Sequence, residues 1–472
     1  MAKLTNLPDD VLFIIADLLR HRGMTIDEAF AQAHKDDLID SDRAISRCLL
    51  RGFDDLRNIS LAHDRLKCVM RRAWSTISFT GPNATRKMVS CLKFLDKHSE
   101  AQGWIHTVYL NLEQSQRTNH RFDETSVAFL RQQASNKGVE WAEDAWLSND
   151  QGWHGHRIET ITLLLLANLP NLQELGFALS GGEPMTSSHY DLGQNSDLNL
   201  RPLCPQLSSL ALRPVKGTIP VFRGLYSIIG KIGAEPTHLY IDNLYPVRMG
   251  LESAGLCPSL FENVTHLTIA GTISGGEYHD AFDSVMADYG PLLDFRLVGH
   301  LNDSDTEPGY GIDPLHALDG LRQGERHTKT LRSLVIDLSD NWVSYGKSGI
   351  DYLDEFENLE NLWIDGDSLY RGEFEITTVY EKGEQLYYYY EDALWSLPTS
   401  LKRICFTHEL ELSKYVLPNF AENLDYLTNL ERVYLKDLDN HDGIVEDMQE
   451  EFEKFGVPVT ITEVDAVMWE AS

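Results

Sequence analysis

Few residues in this chain have the types and the spacing that chemistry at a site requires. His154 and His156 lie two positions apart beside Trp153 and could form half of a metal site, but no matching Cys or His pair accompanies them. We therefore interpret the two histidines as an exposed loop pair. The acidic stretch 302–307 lacks the glycine and the glutamate that a calcium-binding loop has at its sixth and twelfth positions. The sequence thus predicts no metal site.

Sequence motifs of the common enzyme classes are missing as well. The chain contains no GxSxG, no HExxH and no P-loop, and no GxGxxG follows a predicted strand. We therefore predict a protein that needs no cofactor and catalyses no reaction. An enzyme built on an α/β repeat array is the alternative, and it would need a buried cluster of polar residues on the concave face of the array.

The charge of the chain is strongly negative and unevenly distributed. The formal net charge is −31, and residues 351–472 hold 29 acidic against 8 basic residues, whereas residues 1–80 hold 12 of each. An acidic surface repels phosphate backbones, so we predict no nucleic-acid binding. Such a surface would steer a basic protein partner. The alternative is a solvated acidic face that has no partner.

The composition is that of a folded protein of a reducing compartment. Apolar residues make up 42% of the 472 residues, which predicts a large core rather than a disordered chain. The longest apolar run, near 161–166, is too short to span a bilayer, and the N-terminal sequence has no signal-peptide pattern. Six cysteines without CxxC pairs are typical of reduced thiols. We expect an intracellular protein of the cytoplasm or the nucleus that does not bind membranes.

A strand-sized apolar signature recurs along most of the chain. The strands that it predicts would position any binding residues. The signature is LSSLAL at 207–212, VTHLTI at 264–269, LRSLVI at 331–336 and LENLWI at 359–364. The first apolar residues of neighbouring copies often lie 28 or 29 positions apart. A fixed period of this length predicts a stack of one repeated unit, which offers an extended binding surface rather than a pocket.

The same pattern predicts short strands that alternate with helices. The predicted strands are 76–79, 105–112, 172–179, 207–212, 237–242, 264–270, 293–298, 331–337, 360–364, 401–407, 430–435 and 457–462. The predicted helices are 26–35, 84–98, 124–136, 156–168, 222–232, 278–289, 313–323, 413–427 and 442–455. We assign 158–166 to a helix because a strand there would lie too close to the strand that begins at 172.

This alternation resembles the leucine-rich repeats, in which a short strand with inward-facing apolar residues precedes a returning helical segment. The resemblance implies an α/β solenoid over residues 80–472, with stacked parallel strands and outer helices. The Asn or Cys that the family places after the signature is mostly replaced, for example by Val215 and Thr272, so we expect irregular repeats. An ordinary α/β fold of βαβ units is the alternative.

Three polar insertions, at 180–201, 302–330 and 365–394, interrupt the period. Insertions of this kind often lie along one rim of a repeat array, near its binding face. The third insertion contains a run of four tyrosines that could anchor a substrate, namely Tyr387, Tyr388, Tyr389 and Tyr390. The alternative is that the run belongs to a hairpin that covers the array.

The N-terminal segment has its own pattern. Residues 4–20 carry helix-start signals and an apolar face, and residues 54–74 resume helical spacing. The two blocks, LPDDVLFIIADLL and DLRNISLAHDRLKCVMRRAW, resemble an F-box in the form common in fungal proteins. We therefore predict a small helical F-box-like domain over 1–79. The family joins these blocks by a few residues, whereas here residues 21–52 intervene as an insertion.

The F-box resemblance implies a function. An F-box binds the Skp-type linker subunit of a cullin–RING (SCF) ubiquitin ligase, and a leucine-rich-repeat domain on the same chain holds a protein substrate. The docking residues that the motif implies are Leu7, Pro8, Val11, Leu12, Ile15, Leu56, Leu61 and Leu66. The chain would then be a substrate-recognition adaptor. The alternative is a protein-binding repeat scaffold whose N-terminal helices only cap the array.

Overall fold

The chain forms two compact units. Unit 1 comprises Met1–Asp242 with Glu252–Leu260, and unit 2 comprises Asn243–Leu251 with Phe261–Ser472. The computed structural model describes residues 12, 24–35, 41–50, 75–112, 122–147, 154–179, 203–214, 235–242, 262–271, 290–299, 314–323, 325–338, 352–365, 379–381, 384–386, 397–407, 424–436, 449–450, 452–454, 456–462, 466 and 469.

Unit 1 contains parallel strands that lie side by side in chain order. They are β1 (Thr76–Phe79), β2 (Thr107–Asn111), β3 (Glu174–Leu179), β4 (Ser209–Pro214) and β5 (His238–Asp242). Parallel neighbours need a crossover connection between them. Helices supply that connection between β1 and β2 and between β2 and β3.

The helices described in unit 1 are α1 (Ile26–Lys35), α2 (Ser41–Leu49), α3 (Ala84–Lys97), α4 (Glu124–Lys137), α5 (Glu143–Leu147) and α6 (His154–Ala167). A 3₁₀ segment, Ser99–Trp104, follows α3. Helix α4 begins after Asp123, whose carboxylate accepts a hydrogen bond from the Ser126 amide at 2.7 Å. Helix α6 packs on α3 and α4 and is buried along 157–166. The apolar run of α6 therefore serves the core of unit 1.

Two rows of apolar side chains run across the strands of unit 1, and each is at most 6% exposed. The rows are Val108, Leu175, Leu210 and Leu239, and Leu110, Phe177, Leu212 and Ile241. Burial of one such side chain stabilises the fold by about 1.5–3 kcal/mol. The repeated apolar signature thus builds one face of the sheet into a continuous core.

Unit 2 contains the same arrangement on a larger scale. Its parallel strands, again in chain order, are β6 (His266–Gly271), β7 (Asp294–Gly299), β8 (Ser333–Asp337), β9 (Asn361–Asp365), β12 (Arg403–Thr407), β13 (Arg432–Lys436) and β14 (Val459–Ile461). Strands β10 (Val379–Glu381) and β11 (Glu384–Leu386) form a separate antiparallel pair. His266 pairs with Asp294, 28 residues along the chain, and Arg403 with Arg432, 29 residues along. The period seen in the sequence is therefore the spacing between paired strands.

Short helical segments connect the strands of unit 2. Those among the described residues include α7 (Pro314–Gln323), α8 (Glu325–Thr330) and the 3₁₀ turns Leu353–Glu355 and Leu424–Tyr426. His327 on α8 is buried, and its Nδ1 atom lies 3.2 Å from the Leu292 amide, which donates a hydrogen bond to it. The Thr330 hydroxyl donates to the Leu292 carbonyl at 2.8 Å. These contacts fasten α8 to the turn that precedes β7.

The α/β class with parallel strands is confirmed, and every predicted strand overlaps an observed one. The predicted helices 26–35, 84–98, 124–136, 156–168 and 313–323 are also present. Helix α2 was not predicted, and Leu424–Tyr426 forms a 3₁₀ turn where the sequence predicted the end of an α-helix. The predicted helices 222–232 and 278–289 lie outside the described residues.

Among the described residues, no helix is both long enough and apolar enough to cross a membrane. The described cysteines, Cys48, Cys91, Cys204 and Cys405, form no disulfide. Burial raises the pKa of Cys91 to about 11 and that of Cys204 to about 12.

Candidate functional site

Each sheet has a second face, opposite to its apolar rows, because successive side chains of a strand point to opposite sides. The strand face of unit 1 includes Thr107, Tyr109, Glu174, Gly176, Ser209, Ala211, His238 and Tyr240. The strand face of unit 2 includes Asp294, Arg296, Ser333, Val335, Asp337, Asn361, Trp363, Asp365, Cys405, Thr407, Tyr434 and Lys436. These two faces are the candidate binding surfaces of the chain.

Helix α1 lies on the strand face of unit 1. The Phe30 ring stands between Tyr109 and Tyr240, with ring centroids 5.8 and 5.5 Å away, and meets both edge-to-face. Such aromatic pairs add about 0.5–1.5 kcal/mol beyond the area that they bury. Phe30 is fully buried, so this face is covered where α1 crosses it.

The small residues of the strand face make room for α1. Gly176 and Ala211 pair with each other between Tyr109 and Tyr240, so the four residues form one row across β2 to β5. A Cβ atom at position 176 would lie 2.4 Å from the Cδ1 atom of Ile26. The row therefore forms a depression in the strand face, with small residues at its base and an aromatic ring on each side.

Polar contacts hold the first turn of α1 in place. The Thr25 hydroxyl accepts a hydrogen bond from the Glu28 amide, and the Glu28 carboxylate accepts one from the Thr25 amide at 2.7 Å, which forms a capping box. The carboxylate of Glu174 also accepts hydrogen bonds from the Ile26 amide and the Thr107 hydroxyl. The helix is thus capped both by its own residues and by β3.

The Glu174 carboxylate is in an unfavourable environment for its charge. Burial beneath α1 raises the pKa of Glu174, and the negative charge of Glu28 raises it further, against the hydrogen bonds from Thr107 and Ile26. Asp27 contacts the Ser209 hydroxyl at 3.4 Å. The N-terminal turn of α1 therefore brings acidic side chains towards an acidic side chain of the sheet.

The strand face of unit 2 begins with a charged pair. Arg296 donates two hydrogen bonds to the Asp294 carboxylate, at 2.8 and 3.1 Å, and both side chains are mostly buried. Burial lowers the pKa of the neighbouring His266, and the Arg296 charge lowers it further, while Asp294 opposes both effects. The bidentate geometry holds Arg296 in one orientation.

Two buried carboxylates lie further along the strand face of unit 2. The Trp363 indole N–H donates to Asp337 at 3.2 Å, and the Leu338 amide donates to Asp365 at 2.7 Å. The ammonium group of Lys436 lies 5.4 Å from the centre of the Trp363 ring. These contacts satisfy the carboxylates within the sheet, which is a structural role.

Trp469 covers part of the same face. Its ring lies 5.5 Å from the ring of Trp363 and 6.3 Å from that of Tyr434, and it is 4% exposed. In the register, Cys405 lies between Trp363 and Tyr434. An aromatic side chain from outside the sheet therefore bridges two aromatic side chains here, as Phe30 does in unit 1.

Three buried polar atoms on the strands of unit 2 have no hydrogen-bond partner among the residues that the structure describes. They are the Ser333 hydroxyl, the Asn361 side-chain oxygen and the Thr407 hydroxyl. Ser333 and Asn361 are direct neighbours in the register of β8 and β9. Because an unpaired buried polar group costs about 1–3 kcal/mol, a ligand group that paired with them would be stabilised.

The structure describes few of the residues predicted to form the site. Leu12 is buried and helical, whereas Leu7, Pro8, Val11, Ile15, Leu56, Leu61 and Leu66 lie outside the described residues. Tyr387, Tyr388, Tyr389 and Tyr390 also lie outside them, directly after β11 of the antiparallel pair.

The prediction that His154 and His156 lie in a loop is wrong, because α6 begins at His154. Sequence patterns place helix ends only to within one or two residues.

The contacts of α1 were not predicted from the sequence. The only local signal was the Thr25-x-x-Glu28 capping box, which marks the start of a helix but not the surface on which the helix packs. No group of three or more His, Cys, Asp or Glu side chains could hold a metal ion within the part of the chain that the structure describes.

Comparisons with known proteins leave the family open. No protein-family model matches the chain, and no characterised protein matches it in sequence.

Proposed function

We propose that this chain is a substrate-recognition adaptor of a cullin–RING ubiquitin ligase. In this proposal, the N-terminal segment binds the Skp-type linker subunit and the two units bind a protein substrate. The chain positions its target for ubiquitin transfer and is not itself an enzyme.

The observation that carries the protein-binding part is the helix seated on the strand face of unit 1. A face that buries Ile26 and Phe30 among the side chains of β2 to β5 has the shape and the chemistry to hold a protein segment. Parallel strands in chain order, with several partners 28 or 29 residues apart, support an irregular leucine-rich-repeat solenoid. Such arrays bind proteins along their strand faces.

The linker-binding part rests on the resemblance of the N-terminal blocks to an F-box. Residues 1–80 carry equal numbers of acidic and basic side chains, unlike the acidic remainder of the chain. A neutral segment with Arg65, Lys67, Arg71 and Arg72 can approach an acidic linker that the rest of the chain would repel. The tyrosines 387–390 and the acidic C-terminal half are the proposed contacts for a basic substrate.

Co-purification of the full chain with a recombinant Skp-type linker tests the ligase role. We expect a stable complex at micromolar concentration, and we expect the double substitution Leu7→Ala, Pro8→Ala to weaken it at least tenfold. Ile461→Ala is the matched control because Ile461 is exposed on β14, far along the sequence from the F-box-like blocks. Absence of any complex with the folded chain would refute the adaptor role.

A repeat scaffold without a ligase role is the second candidate. One observation favours it: α1 and α2, which lie within the segment 21–52, pack on the strands of unit 1 and so form part of the array. The Ser46 hydroxyl on α2, for example, contacts the Ser78 hydroxyl on β1 at 2.9 Å. The scaffold predicts binding of a protein partner without binding of the linker, so the same co-purification separates the two candidates.

A further inference from the structure

We propose that the strand face of unit 1 is a docking surface for an amphipathic helix of a partner protein, and that α1 occupies this surface in the free chain. The partner helix would carry an aliphatic residue and an aromatic residue four positions apart. This inference concerns unit 1 alone, and it holds whether or not the chain binds a ligase linker.

The seated α1 defines the chemistry of the partner. Ile26 and Phe30 lie one helical turn apart and point to the same side of the helix. Ile26 fills the space above Gly176, and Phe30 fills the space between the rings of Tyr109 and Tyr240. A helix with this pair of side chains can reproduce the buried contacts of α1, whereas a strand cannot present them at the same spacing.

Helix α1 packs on the face of the sheet that lies opposite to the apolar rows. Its capping box pairs the Thr25 and Glu28 amides within the helix and stays with α1 when the helix leaves, whereas the Ile26 amide loses its hydrogen bond to Glu174. The apolar rows of β2 to β5 lie on the opposite face and do not depend on α1. Local opening of one element costs less free energy than unfolding of the whole domain.

The charges at the first turn of α1 favour its replacement by a partner. Burial and the negative charge of Glu28 both raise the pKa of Glu174, while Asp27 accepts a hydrogen bond from the Ser209 hydroxyl in the same turn. Thr107 and the Ile26 amide are the described groups that counter this repulsion by hydrogen bonding to Glu174. A partner helix with a neutral or basic residue in the place of Glu28 would remove the repulsion and bind more tightly than α1.

Peptide binding to the full chain tests the proposal. The probe is a fluorescein-labelled peptide of residues 24–35, which carries the observed contacts of α1. The double substitution Ile26→Ala, Phe30→Ala in the full chain removes the two side chains of α1 that fill the strand face of unit 1; this variant is the emptied chain. We expect the emptied chain to bind the peptide saturably and at least tenfold more tightly than the unchanged chain, whose surface is occupied. The peptide with Phe30→Ala should not bind.

A filled surface provides the matched control. Adding Gly176→Leu to the emptied chain places a side chain where Ile26 would insert, and we expect peptide binding to be lost while the circular dichroism spectrum is kept. If an emptied chain with an unchanged spectrum does not bind the peptide, the proposal is wrong.

Hydrogen exchange of the unchanged chain decides the matter if the emptied chain does not fold. We expect the amides of α1 to exchange at least tenfold faster than those of β2 and β3, because α1 opens while the strands remain paired. Equal exchange in α1 and in these strands would show that α1 belongs to the cooperative core, which overturns the proposal. Linker binding enters neither measurement, so failure here is distinct from failure of the adaptor role.

Discussion

The side chain of Ile26 occupies the space into which a side chain at Gly176 would extend: the Cβ atom would lie 2.4 Å from Ile26 Cδ1 and 3.0 Å from the Tyr109 ring. Replacement of Gly176 by alanine should therefore destabilise the packing of α1 on β3. Overpacking of this kind costs about 1–3 kcal/mol. Urea unfolding, followed by circular dichroism, measures the loss.

The clash at position 176 has a specific remedy. Ile26→Ala removes the atoms that the new Cβ would meet, so the double variant should lose less stability than the sum of the two single variants. A coupling free energy of at least about 0.5 kcal/mol is expected for residues in contact. Strictly additive losses would show that Ile26 and Gly176 do not touch in solution.

Gly290 is a second position where a close approach requires glycine, and here the neighbour is backbone. A Cβ atom at 290 would lie 1.9 Å from the Glu262 carbonyl oxygen in unit 2. No side-chain truncation can relieve that contact, so Gly290→Ala should destabilise unit 2 by about 1–3 kcal/mol or more. Urea unfolding of this variant measures the loss, and Glu262→Ala should not restore the stability.

The buried carboxylate of Glu174 should make the stability of unit 1 depend on pH. The pKa of Glu174 is raised in the folded chain, mainly by burial. Its favourable contribution is therefore complete below the unfolded pKa, near 4.5, and is lost as the pH rises through the folded pKa. Glu174→Gln has no charge to desolvate, so its free energy of unfolding should fall less between pH 4.5 and 8.

Urea unfolding across that pH range measures the difference between the two chains. Glu124→Gln is the control because Glu124 is exposed at the start of α4. Its profile should follow that of the unchanged chain. Identical profiles for the unchanged chain and the Glu174 variant would show that the carboxylate is solvated and that α1 does not cover it.

The strands could be predicted from the sequence because one local pattern determines both their positions and their inward faces. Residues 331–336 and 359–364 repeat the same apolar spacing 28 positions apart, and β8 and β9 are paired neighbours in the sheet. In a repeat array of this kind, strands that are one period apart in the sequence are neighbours in the sheet. The fold class therefore follows from local information.

The covering of the strand face could not be predicted in the same way. Ile26 and Gly176 are 150 positions apart, and Trp469 lies far along the chain from Trp363. No period connects these residues, and the glycine only weakens the local strand pattern. Helix α2 was missed because its sequence, SDRAISRCL, is rich in charge. Contacts between segments that are distant in sequence determine which part of the strand face is covered. Local secondary-structure propensity carries no information about such contacts.

Trp469 should stabilise unit 2 through its two ring contacts. The side chain is 4% exposed and lies 5.5 Å from Trp363. Trp469→Ala removes these contacts and leaves a cavity, a change that typically costs 3–5 kcal/mol. Ile461→Ala is the control, because Ile461 is 61% exposed and should lose less than about 0.5 kcal/mol. Equal urea midpoints for the two variants would contradict the packing of Trp469 on the sheet.

Cys204 should report whether α1 is released without unfolding of the unit. Burial raises its pKa to about 12, and its thiol contacts the Leu166 carbonyl at the end of α6. Because the thiolate is the reactive form, iodoacetamide at pH 8 should label Cys204 at least 100-fold more slowly than glutathione. Mass spectrometry measures the rate. The rate should stay low in the Ile26→Ala, Phe30→Ala chain, since α1 lies on the strand face whereas Cys204 lies beside α6. Rapid labelling in that chain would mean that loss of the α1 contacts opens the core as well.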